Sequence, residues 1–583
     1  MEFVYKNVKK FHINRLRFLE ESKIWKPVKN KVLFIGPKHW YHIFSSDCDV
    51  IWYSDLYRDV FQQVLEYIDV VVIFPNYRIR TDTYSIFINE IKMIVERSYR
   101  MHKRVIVFYE NENSWMLFKD NIPYDERYLY IMKIGGDFWN NKEVNGNTFN
   151  IPGVISSRLF NPYMSVFDKK IESQYPRIKH IAQNSYTFNK SSLFAESIKY
   201  SSRMICLFDY DCYSFIYRLR NDIKDVRYLG RVNYDGYLFL LKKSYSQTFY
   251  YDCDIDISIM SQRILENNAC YGVSFVLDVT DNFDFERMNV ICVKNKFDLI
   301  QNIALINRIA EYRENMSHRN WRDAHSYSVY NIFKMLGIIK NDIKISVITP
   351  TIRPENINII LKNYYSQKYN NKELVVVING KNSNSKKWKS IYDISRKDKS
   401  VKVISLQGEV MASAALNAGI LASDKKSKLV FRVDDDDLYG KNYIYDTVLH
   451  YYSTGFDLAG KKFEYVYFDE DNSLYKRKFK NIPSLLFDNK YNNFLNIAGN
   501  SFAIDKKFAL KHGYLLGALG NADSEFLLSL AYVSPAPKLA YTDNRSLIIV
   551  RRAGEDHTWN AGKEFFIKNA EKSSVTIKEI IDV

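Results

Sequence analysis

The stretch Leu429-Val430-Phe431-Arg432-Val433-Asp434-Asp435-Asp436-Asp437 decides how this sequence reads. Its largely apolar first half predicts a buried strand, and the four carboxylates that follow predict a polar strand end. Ligands of open α/β sheets bind at the carboxyl ends of the strands. Four adjacent carboxylates repel one another unless a cation sits among them, and an all-oxygen set suits a hard divalent ion such as magnesium or manganese. The competing reading is a solvated acidic loop, or a helix N-terminus that favours negative charge.

Upstream, Ile343–Ile348 reads as a β-branched strand that runs into Thr349-Pro350-Thr351-Ile352-Arg353-Pro354. Residues 355–367 have helical periodicity, and Glu373–Ile378 is the next strand, ending in Asn379-Gly380. The acidic run resembles the DXD motif of GT-A glycosyltransferases, and its surroundings resemble their inverting family 2. Ser346–Thr351 is similar to the first strand and nucleotide loop of that family, and Ala414–Ile420 to its "ARNxGI" helix. Gly499-Asn500-Ser501 is similar to its acceptor-region strand. Asn521–Leu528 resembles the "ED" helix that supplies the base, and Arg551-Arg552 with His557-Thr558-Trp559 close the series.

The resemblance implies a nucleotide-diphospho-sugar donor, a hydroxyl acceptor on a glycan or glycoconjugate, and a divalent cation (Mn or Mg) as cofactor. A metal at Asp436, with Asp434 and His557 as further ligands, neutralises the departing diphosphate. Pro350, Thr351, Arg353, Asn379, Asp434, Asp435, Asp437, Arg551 and Arg552 fall to the donor, with Asp437 as a supporting member and Asp435 free to point away. Asp523 is the expected general base, against the local alternative of an ordinary helix-capping Asp. Gly499, Asn500, Glu525 and Trp559 form the acceptor region, and Glu525 is the fallback base. Three positions depart from the family: Asn379 where an aspartate often follows the second strand, Leu416 in place of Arg, and Ala522 in place of Glu.

The first half alternates strands and helices. Strands are expected at Lys31–Ile35, Val70–Phe74, Arg104–Tyr109, Arg203–Phe208, Val226–Leu229, Gln247–Tyr251, Val273–Leu277 and Asn289–Val293, a rhythm that predicts βαβ units on parallel sheets. Residues 262–273 resemble the "RxxExxAxG" segment of GT-B glycosyltransferases, and His325-Ser326-Tyr327 resembles the "HTY" ending of spore-coat-associated glycosyltransferase-like proteins. The expected class is therefore α/β throughout: a GT-B-like pair of Rossmann-like units, then a GT-A domain. The divisions are a basic segment 1–30, units 31–190 and 191–338, the GT-A domain 342–561 and a helical tail 562–583. Arg263 and Glu266 are candidates for a second site, against a purely local salt bridge.

Lys and Arg total 83 against 67 Asp and Glu, a net +16 that favours anionic partners. No RNA-recognition signature or zinc-finger spacing occurs, so nucleic acid is not the expected partner. Six cysteines without a CxxC pair read as buried free thiols in a reducing compartment. With no apolar run of spanning length and no signal-type h-region, a cytoplasmic enzyme is expected, at the inner face of the membrane if residues 1–31 form a surface-binding helix. The bland reading of that segment is a solvated helix on its own domain. Together these readings predict a metal-dependent inverting glycosyltransferase of bacterial surface-glycan synthesis. The rivals are a two-site polymerase and a non-catalytic glycan-binding scaffold.

Overall fold

The computed structural model describes residues 25–53, 61–75, 84–110, 112–135, 138, 146–160, 180–184, 204–208, 226–228, 234–251, 257–278, 285–294, 296–380, 386–408, 410–462, 464–478, 497–513, 522–552 and 562–582. Most of the basic segment, with its surface-helix reading, lies outside these residues. The chain divides into two compact units, Met1–Ile339 and Lys340–Val583. The expected boundary, residues 336–343, contains that division.

Among the described residues, the first unit holds two parallel six-stranded sheets. One is built from β1 (Lys31–Ile35), β2 (Asp49–Trp52), β3 (Val70–Ile73), β4 (Arg104–Tyr109), β5 (Leu129–Ile134) and β6 (Thr148–Ile151), in the order β2-β1-β3-β4-β5-β6. Every residue of β3 (Val-Val-Val-Ile) is buried, the continuous apolar run that a parallel strand covered on both faces requires. The second sheet runs β12-β11-β10-β7-β8-β9, from β7 (His180–Asn184), β8 (Met204–Phe208), β9 (Val226–Tyr228), β10 (Ser246–Tyr251), β11 (Val273–Asp278) and β12 (Ile291–Val293). All eight expected strands are present. Four more, β2, β5, β6 and β7, were not expected, and β7 moves the seam. It belongs to the second sheet, so the two sheets part between Ile151 and His180 rather than at residue 190.

The helical stretch expected at Lys296–Leu336 is three helices, Lys296–Arg308, Ala310–His325 and Val329–Met335. His325 is buried and bonds the Trp321 carbonyl at 2.9 Å, and Tyr327 meets Phe138 edge-on. The His-Ser-Tyr ending therefore closes a packed corner. The abundant aromatics find a use as well: Phe34, Trp40, Phe44, Phe74 and Phe108 are buried together, Phe74 stacked on Phe108 at 4.9 Å. Cys48 and Cys270 are buried free thiols as expected, whereas Cys292 is exposed, a correction to that reading.

The second unit opens with β13 (Lys344–Thr351), β14 (Lys372–Ile378), β15 (Val401–Ser405) and β16 (Ser427–Arg432). It continues with β17 (Leu438–Tyr439), β18 (Leu458–Gly460), β19 (Tyr465–Phe468), β20 (Ser473–Arg477), β21 (Ala503–Asp505), β22 (Leu539–Tyr541), β23 (Leu547–Arg551) and β24 (Ala570–Lys572). A seven-stranded mixed sheet runs β15-β14-β13-β16-β21-β18-β22, and a five-stranded sheet runs β17-β23-β19-β20-β24. Helix α1 (Ala412–Ala422) lies on the large sheet, and Gly419 permits the approach. A Cβ there would run into Ile348 and sit 3.1 Å from Val377 Cγ2. The expected separate tail at 562–583 is not one. β24 completes the small sheet and Ile580 is buried in its core, so the domain extends to the end of the described residues.

Candidate active site

Three parallel strands, β13, β14 and β16, end at one edge of the large sheet. Ile348 pairs with Arg432 and Thr351 with Ile378. Pro350 lies inside β13 without cost. Its missing N–H would face β16, as the Ile348 carbonyl does, and the β16 pairing stops at Ile348, so no ladder bond is lost.

Beyond β16 the chain keeps its two-residue alternation. Phe431, Val433, Asp435 and Asp437 are buried, whereas Arg432, Asp434 and Asp436 are half-buried. The tetrad therefore splits by burial, Asp435 and Asp437 enclosed and Asp434 and Asp436 more open, while Arg353 Nη2 bridges Asp435 and Asp436. Asp435 accepts from Thr351 Oγ1 at 2.5 Å and from Arg353 Nε at 3.2 Å, and it also pairs with Arg353 Nη2. Asp437 accepts from Asn500 Nδ2 at 2.6 Å and from the Val550 N–H at 3.0 Å. Burial, with Asp436 and Asp434 adding repulsion, holds the Asp437 carboxyl well above the usual carboxylate range. Asp437 thus fastens the acidic loop to β23 and to the turn Gly499–Ser501. Asn500, expected in the acceptor region, has its amide N–H committed to that fastening.

Asp434 and Asp436 carry the remaining carboxylates. Asp434 takes a two-pronged bond from Arg432, Nε to Oδ1 at 2.8 Å and Nη2 to Oδ2 at 3.1 Å. Its carboxyl is nevertheless raised, chiefly by burial and against the pull of Arg432. Asp436 pairs with Arg353 Nη2 at 2.9 Å, and its carbonyl accepts from Arg552 Nη2 at 3.1 Å. Arg551 stacks its guanidinium 4.5 Å from the Phe566 ring. Asn379 bonds the Val410 carbonyl at 3.2 Å at the end of β14.

Asp523 belongs to α2 (Ala522–Ser529), and its carboxylate forms an ion pair with Arg432 Nη1. One guanidinium thereby joins a DXD aspartate to the expected base. Gly499 faces Asp523: a Cβ added there would lie 2.8 Å from Asp523 Cβ and closer still to its carboxyl group. Glu525 is half-buried two residues on. His557 and Trp559 fall outside the described residues. The structure thus gathers Thr351, Arg353, Asp434, Asp435, Asp436, Arg552, Asp523 and Gly499 around one strand edge.

Sequence reasoning passed over Arg432. The signal was there: a charged residue near the end of an apolar strand, two before Asp434, occupies the same face by the period of two.

Residues 346–513 match Glycosyl transferase family 2. The matched stretch lies within the C-terminal unit. That stretch is mixed α/β. Among solved structures, the chain is similar to S. aureus TarS 1-349 in complex with UDP-GlcNAc, at 17% identity over 39% of this chain and 64% of that one, TM-score 0.31. It is similar to the mannosyltransferase PcManGT from Pyrobaculum calidifontis in complex with GDP-Man and Mn2+, at 14% identity over 37% and 58%, TM-score 0.27. A third is a glycosyltransferase from Rickettsia africae ESF-5, at 12% identity over 54% and 98%, TM-score 0.32. The chain spans less than two thirds of the first two proteins. No curated protein matches the chain.

In the first unit, Glu266 sits on the helix Ile257–Ala269 and is buried. It accepts from Gln262 Nε2 at 3.0 Å and from Arg263 Nη1 at 2.8 Å, while Gln262 bonds both the N–H and the carbonyl of Val154 at 2.9 Å. Among the described residues, both carboxylate oxygens of Glu266 are engaged within the fold. No helix among the described residues is long and apolar enough to cross a membrane.

Proposed function

We propose that the family 2 domain transfers a glycosyl group from a nucleotide-diphospho-sugar to a hydroxyl acceptor by a single displacement that inverts the anomeric centre and depends on a divalent cation. The observation that carries this reading is that Arg432 joins the half-buried Asp434 at the strand edge to Asp523. The half-buried carboxylates of Asp434 and Asp436 offer oxygen alone, the donor chemistry that manganese or magnesium takes. Asp436 and Asp434 would hold the ion, with His557 as a further ligand. When bound, the ion supplies Lewis-acid neutralisation of the diphosphate's charge.

This chain's own residues do the rest. Asp523 takes the proton of the acceptor hydroxyl, whose oxygen forms a bond to the anomeric carbon on the face opposite the leaving group. The nucleoside diphosphate departs with the electron pair of the broken bond. Arg353, Arg551 and Arg552 add positive charge on the diphosphate side. Thr351 and Asn379 line the nucleotide side, and Gly499 and Glu525 the acceptor side.

The first unit serves as a scaffold or acceptor binder, a reading favoured by the buried and doubly engaged Glu266. A two-site polymerase needs that carboxylate available to a donor ribose. The net +16 supports an anionic partner, and surface-polysaccharide or glycoconjugate synthesis at the cytoplasmic face of a membrane accommodates it.

The test is a donor-hydrolysis and transfer screen across nucleotide sugars, with Mn2+, with Mg2+ and with chelator. Wild type should turn over one donor class with metal alone. Asp436→Ala should lose that turnover, and Asp523→Asn should bind donor but lose transfer by about 100-fold or more. Full metal-free activity in Asp436→Ala would sink the metal assignment.

A further inference from the structure

We propose that Arg432 is the positioning residue of this site: its guanidinium competes with a divalent ion for Asp434 and holds Asp523 in place. The inference rests on the metal-and-base reading above and deepens it.

The arrangement is a fork with three prongs in use. Nε and Nη2 grip the two oxygens of Asp434 at 2.8 and 3.1 Å, and Nη1 pairs with Asp523. These are the lone pairs a metal ion at Asp434 would take, so guanidinium and metal compete for them. The Arg432 backbone is fixed, because it ends β16, pairs with Ile348 and donates its N–H to the Phe502 carbonyl at 2.8 Å. Any exchange of partners must therefore be a swing of the side chain about an anchored Cα.

Asp523, with a side chain one-third exposed, sits at the start of α2. Asp434 and Asp523 are like charges within electrostatic reach of each other. Without the guanidinium between them, repulsion would drive Asp523 outward. Arg353 is the contrast across the loop. It also pairs with two tetrad members, but one of these, Asp435, is buried and locked by Thr351 as well. That pair is built to stay, whereas Arg432, as enclosed as Arg353, holds partners that are more open, Asp434 at 25% and Asp523 at 33% side-chain exposure, and is placed to exchange.

The experiment measures two independent quantities on Arg432→Gln and Arg432→Lys. The first is Mn2+ binding, followed by the paramagnetic signal of the free ion, alone and with saturating UDP or GDP. The second is the split of kcat and donor KM with the donor that the screen identifies. Glutamine removes the competitor and the tether, so Mn2+ should bind about fivefold tighter. At the same time kcat should fall about 100-fold with donor KM within threefold, the loss expected for a reacting group displaced by about 1 Å. Lysine keeps the charge without the fork and should recover part of kcat.

Weaker Mn2+ binding in Arg432→Gln, or kcat within threefold of wild type, overturns the inference while leaving the metal reading intact. Wild type that shows no Mn2+ binding sensitive to Asp436→Ala overturns both. Should the glutamine variant lose its native circular dichroism, the lysine variant decides on the same two axes. Mn2+ binding no weaker than wild type with reduced kcat sustains the proposal, and any other pair of results overturns it.

Discussion

Gly499→Ala offers a clean probe of Asp523, because the glycine is required by one neighbour and not by its own backbone. Its turn, Gly499–Ser501, does not place it in the left-handed region, so alanine costs little conformationally. The added methyl meets Asp523 Cβ at 2.8 Å, about 0.6 Å inside ordinary van der Waals contact at 3.4 Å, and overlaps the carboxyl group further. Asp523 is partly exposed and at a helix start, so it can turn outward, and the carboxylate must move by on the order of 1 Å. That breaks its pairing with Arg432 Nη1. A general base displaced this far should cost roughly 100-fold in kcat, while Asp434, Asp436 and the donor side stay as they are. The assay is nucleoside diphosphate release under initial-rate conditions, with donor KM and Mn2+ affinity measured alongside. Expected results are kcat down roughly 100-fold, with KM and Mn2+ affinity within about threefold and the melting temperature within a few degrees. A Gly499→Ala enzyme with near wild-type kcat would refute the assignment of Asp523 as the base.

Asp437→Ala should unfold the C-terminal unit more readily by about 2–5 kcal/mol, since it leaves the Val550 N–H and the Asn500 amide as buried donors without their acceptor. Urea unfolding measures it, and a loss under about 1 kcal/mol would contradict the fastening role. In the first unit, burial pushes the Asp47 carboxyl up to about 6, against the pull of Ser156, Ser157 and Arg158. Folded Asp47 therefore holds a proton that the unfolded chain releases, and stability from this group is full below about pH 4 and is lost as pH rises through about 6. The shift corresponds to about 3 kcal/mol, so wild type should lose that much relative to Asp47→Asn across the window. Thermal melts of both proteins test it, and a wild-type advantage that grows with pH would contradict the sign.

Much of the second unit could be read directly. Continuous apolar runs such as Leu374–Ile378 bury both faces of a strand, and a period of two marks which acidic residues are buried. The close helix-to-sheet contact at Gly419, in the Asn-Ala-Gly-Ile helix, emerged only from the structure. Short edge strands such as Asp49–Trp52 and Thr148–Ile151 escaped because only a few residues carry the pattern and few of them are fully buried. The polar strand His180–Asn184 escaped because its place beside β10 and β8 is set by partners far along the chain.

The amino-acid order by itself determined that a buried strand must end in carboxylates needing positive charge nearby, since alternation and like-charge repulsion are local properties. Only the tertiary structure decided which positive charge answers which carboxylate. Arg353 reaches Asp435 and Asp436 from 82 and 83 residues away along the chain, and Arg432 reaches Asp523 across 91. Such pairings arise from strand ends and a helix start converging on one sheet edge, and local sequence carries no record of that convergence.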